Sequence, residues 1–96
     1  MSSRSLVERR LSEVAEQVKV LRRDLIVAEE QLAHFAEEAD DARLRALVSE
    51  TPLAQHEHRE AQKHADVMRR RRTELQTEIE RLEQAQDELL DRLLEG

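Results

Sequence analysis

The chain has no cysteine, no tryptophan and no tyrosine, and only one phenylalanine, one glycine and one proline. Without cysteine there is neither a disulfide framework nor a thiolate metal site, and the absence of disulfides agrees with a cytoplasmic setting. No apolar run approaches the roughly 20 residues that a membrane span requires. Residues Met1 to Arg4 carry no apolar signal segment, so no membrane partner is expected. With aromatics at 1% there is little to build a compact globular core. A net charge of −6 gives no general attraction for nucleic acid.

What the chain does have is charge and periodicity. Charged residues make up 40% of its 96 residues, the profile of a long helix or coiled coil. The apolar residues recur at alternating spacings of three and four, which separates this sequence from a disordered one of similar charge. Upstream of the middle the series runs Val7, Leu11, Val14, Val18, Leu21, Leu25, Ala28, Leu32, Phe35, Ala39, Ala42, Ala46. Downstream the same spacing picks out Ala54, His58, Ala61, Ala65, Met68, Arg72, Leu75, Ile79, Leu82, Gln86, Leu89, Leu93. Each series is the seam of a coiled-coil helix about six heptads long.

Between them stands Val48-Ser49-Glu50-Thr51-Pro52. Pro52 suits a first helical position, and Thr51 before it suits an N-cap, because its hydroxyl can accept from an orphan backbone N–H. The spacing predicts one helix over about 5–47, a turn over about 48–51 and a second helix over about 52–94. Ser5 and Glu8 match a capping box at the start, with Ser2 or Ser3 as alternative caps. The two seams also mirror each other. Residues whose numbers add to 100 match in character, as Leu11 does with Leu89, Leu21 with Ile79, and Ala46 with Ala54. The fold class is therefore all-α, a single antiparallel two-helix coiled-coil hairpin. Its base would be packed with Leu, Val and Ile and its tip with alanine. An alternative at the tip is a short third helix over 43–50 with Leu44, Leu47 and Val48 on its apolar face.

Off the seam, Leu6, Val20, Ile26, Val27 and Ala33 form an outward apolar stripe. A two-helix hairpin leaves its seam half-covered, so the stripe predicts association of two hairpins into a dimeric four-helix assembly, or a contact with an unidentified partner protein. Three polar residues occupy seam positions: His58 opposite Ala42, Arg72 opposite Ala28 and Gln86 opposite Val14. Polar layers of this kind fix register. An imidazole fits over a small alanine, and an arginine stem can lie over another while its guanidinium reaches water.

Charge runs are read first as solvated faces. Arg69, Arg70, Arg71 and Arg72 point about 100° apart in turn, so they make a band around the helix and not a face for nucleic acid. Arg69, Arg70 and Arg71 remain candidates for an acidic partner, with Asp66 pairing Arg70 and Glu29 facing Arg69. The acidic run Glu37, Glu38, Asp40, Asp41 includes an Asp41–Arg45 pair at i, i+4. The histidines at 34, 56, 58 and 64 lack the i, i+4 spacing of a metal site, and no cofactor is implied.

No residue pattern here supplies a nucleophile, a general base held by a second group, or a concave pocket, so an enzyme is not expected. The leading expectation is a non-enzymatic protein–protein interaction or adaptor module. The outline of a long hairpin with acids near its tip also resembles the coiled-coil hairpins of the Gre transcript-cleavage factors and DksA-like proteins. That resemblance covers the fold alone. It implies a transcription regulator that contacts RNA polymerase through tip acids, for which Asp40, Asp41 and Glu50 are the candidates. A structural coiled-coil assembly protein is a further alternative. The helical-hairpin WxG secretion substrates are excluded, because they need a tryptophan at the turn.

Overall fold

The computed structural model describes residues 3–95. Two helices account for them: α1, Ser3–Ser49, and α2, Pro52–Glu95. Only Glu50 and Thr51 lie between the two. The chain is thus a helical hairpin with a two-residue connection, and the described residues contain no strand.

The periodicity decides which face each helix buries. Every expected seam position of both helices is buried or half-buried, and every buried side chain among the described residues is a seam position. Among the described residues no polar or charged residue is buried as a whole. That is the outcome expected when the apolar stripe of one helix can be removed from water only by the stripe of another.

Two compact units divide the chain. The first joins Met1–Leu25 to Glu74–Gly96 and holds both ends. Its core is Val14, Val18, Leu82 and Leu89, with Val7, Leu11 and Leu21 packed against them. Leu75 and Ile79 are also buried there. Arg22 of α1 reaches Glu83 of α2 at 3.2 Å, an ion pair between the two helices. The second unit, Ile26–Thr73, carries the turn. Its buried residues are Ala28, Leu32, Ala39, Ala42 and Ala65, with one leucine among alanines. Small layers of this kind allow close helix approach but bury little area, at roughly 25 cal/mol per Å². Phe35 fills part of the deficit by packing its ring edge against His64 of α2.

The turn differs from the expected one in its end points. α1 runs on past Leu47 to Ser49, so residues 43–50 form no separate third helix. The physical reason is the stop itself. Glu50 adopts φ 50°, the left-handed conformation that a glycine normally supplies at this place. Its N–H donates to the Ala46 carbonyl at 3.1 Å, closing the last turn. A side chain in this conformation costs about 1–2 kcal/mol, and the residue type gives no stop signal because glutamate stands where glycine or asparagine would. Thr51 then caps α2 as expected: its Oγ1 accepts from the Ala54 N–H at 3.1 Å, and its carbonyl accepts from the Gln55 N–H at 3.1 Å. At the other end α1 already includes Ser3, so Ser5 lies inside the helix and is not its cap. The alternative cap Ser2 lies outside the described residues.

Candidate functional site

The surface is best read by asking which apolar side chains the seam leaves behind. In the unit that carries the turn, four large aliphatics remain in water at the end of the hairpin. Val48 is 86% exposed, Leu53 67%, Leu47 63% and Leu44 49%. Leu44, Leu47 and Val48 are on the last turns of α1, and Leu53 is on the first turn of α2. They flank Glu50 and Thr51 in the chain, and both of those residues are exposed. The heptad explains why none of the four is covered. Ala46 and Ala54 hold the seam positions, so their neighbours must point away from the opposite helix.

The acids expected to serve as tip contacts are arranged differently from one another. Asp40 accepts from the Arg43 guanidinium at 2.9 Å, a pair at i, i+3. The expected Asp41–Arg45 ion pair is not formed; the run's ion pairs are instead Asp40 with Arg43 and Glu38 with His34. Glu38 lies 3.2 Å from His34. Glu60 takes Lys63 at 3.1 Å. This hydrogen bond, with the ammonium charge behind it, holds the Glu60 carboxyl below the ordinary glutamate range. No cation among the described residues lies within ion-pair distance of the Glu50 carboxylate.

The basic band likewise resolves into local pairs. Arg69 bonds Asp66 at 2.8 Å, while Gln62 donates to the same Asp66 oxygen at 3.1 Å. Asp66 thus serves Arg69 and not Arg70, and Arg69 turns to its own helix and not to Glu29. Arg70 and Arg71 are exposed. Arg72 is half-buried in the seam, and its Nε is buried with no hydrogen-bond partner in the protein. His58 and Gln86, the other two polar seam residues, are also half-buried. His58 shares a shallow groove of about 260 Å³ with Arg43 and Ala46 of α1 and Arg59 of α2.

The residues of the expected outward stripe are exposed. Leu6 is 51% exposed, Val20 44%, Ile26 59% and Val27 52%, and Ala33 is exposed as well. Ile26 and Val27 are successive residues of a helix and so lie about 100° apart around it. In the unit with both chain ends, Val20 joins Leu21 and Leu82 as the apolar floor of an open groove of about 870 Å³, rimmed by Arg9, Glu13, Glu16 and Gln17. Sequence reasoning passed over Leu53 and the half-exposed Val67. The available signal was their place one residue before a seam position. Among the described residues no group of three or more His, Asp or Glu is placed to hold a metal ion. Among the described residues no helix is long and apolar enough to cross a membrane.

Comparison with protein-family models, with curated proteins and with solved structures gives no match.

Proposed function

We propose that the chain is a non-enzymatic protein-interaction module whose turn is its contact surface. The observation that carries this reading is the set of four exposed aliphatics, Leu44, Leu47, Val48 and Leu53, on the last and first turns of two long helices. Single exposed aliphatics are ordinary, but a cluster at the end of a helical pair is the arrangement that an apolar surface of another protein covers. A two-residue connection with a capped helix on its far side fixes the backbone that carries the four residues, which lowers the backbone ordering cost of binding. A benzophenone amino acid placed at position 53 and cross-linked in cells tests it. Adducts with another protein are expected from position 53, and these should be lost when Val48→Ser is added. Adducts from position 90, where the exposed Leu90 of α2 lies outside the unit that carries the turn, with none from position 53, would refute the reading.

A second reading is favoured by the groove over Val20, Leu21 and Leu82. A helix laid into it would give the homodimeric four-helix assembly expected from the off-seam aliphatics. Light scattering then yields twice the chain mass of 11.3 kDa, falling to the chain mass in Val20→Ser. The reading as a transcription regulator draws less support, because Asp40 is tied to Arg43 and the exposed end is mainly aliphatic.

A further inference from the structure

Two polar and ring contacts cross between the helices: the Arg22–Glu83 ion pair in the unit with both chain ends, and the Phe35–His64 ring pair in the unit with the turn. Neither of them, nor the buried seam, depends on α1 and α2 belonging to one chain. Only Glu50 and Thr51 join the two helices. The bonds on either side of that connection are local to one helix. The Glu50 N–H donates to the Ala46 carbonyl of α1, while the Thr51 hydroxyl and carbonyl accept from the N–H groups of Ala54 and Gln55 in α2. All three survive if the backbone turns at Glu50 alone. Glu50 stands at φ 50°, which its β-carbon disfavours and glycine would take freely. The closed turn therefore works against the ordinary preference of its own hinge residue for extended backbone. Pro52 bars the other way out, one unbroken helix, because its ring would clash with the Val48 carbonyl.

We infer that the chain exchanges helices with a second copy of itself. Glu50 swings from the left-handed to the extended region, and α1 of each copy packs on α2 of the other. The inference rests on the proposed role of the turn as a contact surface, and it names the occupant. A second copy fits for two reasons. It offers the same seam, ion pair and ring contact that the closed chain makes, so no contact between helices is given up. It also brings two turn ends together about a twofold axis, so that the exposed Leu47, Val48 and Leu53 of one copy meet the same residues of the other. Short connections under strain favour this exchange. Relief at two hinges and burial of two aliphatic clusters together oppose the entropy lost on association.

The test uses the full chain carrying Arg22→Cys/Glu83→Cys. Both side chains are exposed, so the variant leaves the seam intact. It is refolded at high concentration, diluted, and treated with a short bismaleimide. In a closed hairpin the link forms within one chain. In the exchanged pair it joins two chains, and a denaturing gel shows twice the chain mass of 11.3 kDa. The doubled mass is expected. Arg22→Cys or Glu83→Cys alone should give no linked pair, which excludes a side-by-side dimer as its source. Glu50→Gly, which closes the turn without strain, should weaken dimerisation about tenfold in light scattering on dilution, as should Val48→Ser/Leu53→Ser. The inference is overturned if the links fall within one chain, if a single cysteine gives the linked pair, or if Glu50→Gly dimerises like the wild type. Within-chain links together with adducts to a different protein from position 53 would remove the exchange and leave the turn as a contact surface. Within-chain links with no such adducts would remove both.

Discussion

The ring of Phe35 in α1 meets that of His64 in α2 edge to face, with centroids 5.7 Å apart and planes at 70°. These two residues tie the helices together in a stretch whose buried layers are otherwise mostly alanine. A contact of this geometry is worth about 0.5–1.5 kcal/mol beyond the area it covers. A double-mutant cycle with Phe35→Leu and His64→Ala, followed by urea denaturation, should return a coupling of about that size. A coupling near zero would mean that the rings touch without holding the helices.

The turn makes opposite predictions for adjacent residues. Glu50→Gly should raise stability by about 1 kcal/mol, because glycine relieves the left-handed strain at the cost of some unfolded-chain entropy. Thr51→Ala should lower it by about 1 kcal/mol by removing the cap on Ala54 N–H. Both shifts should appear in the urea midpoint at constant slope.

Arg72→Leu should stabilise the hairpin by about 1 kcal/mol. The half-buried arginine keeps its Nε out of water without a hydrogen bond, and leucine removes that desolvated donor while keeping the seam position apolar. Thermal melting followed by circular dichroism decides it, and a lower melting temperature would show that the guanidinium is satisfied by other means.

Leu82→Ala should cost about 3 kcal/mol, since Leu82 is 3% exposed within the core of Val14, Val18 and Leu89. Native-state hydrogen exchange should show protection lost first around Leu82. Uniform loss of protection along both helices would mean that the chain opens as one cooperative unit.

The lowered Glu60 carboxyl gives a pH prediction. Its side-chain bond from Lys63 depresses the folded-state value, so the stabilisation is complete above the ordinary glutamate range and is lost as acid carries the pH below it. Lys63→Met should move the Glu60 carboxyl titration back up toward ordinary glutamate, read from its carboxyl carbon by NMR. The Glu78–Arg81 pair should behave in the same way. Both pairs are solvent-exposed and should weaken in salt.

Much of this molecule follows from one-dimensional order. Apolar side chains three and four apart can be buried together only as one face of a helix, and the seam of every buried residue was legible from that spacing alone. Pro52 and Thr51 placed the start of α2 for equally local reasons. What stayed illegible was any choice between near-equal local options. Asp40 pairs with Arg43 while the equally well spaced Asp41 and Arg45 do not pair, and Asp66 takes Arg69 in place of Arg70. Steps of three and four along a helix differ by little energy, so rotamers and neighbours settle them.

The stop of α1 belongs to the same class. Nothing in the type of residue 50 announces a left-handed backbone, and glutamate accepts it only because Thr51 and Pro52 begin α2 immediately afterwards. Sequence by itself determined that this chain is two helices, which faces they bury and where it reverses. Only the tertiary structure decided how far the off-seam aliphatics around the turn stay in water and which carboxylates find a cation. Periodicity reports what a helix turns inward; exposure depends on what the opposite helix is wide enough to cover, and alanines are not wide enough.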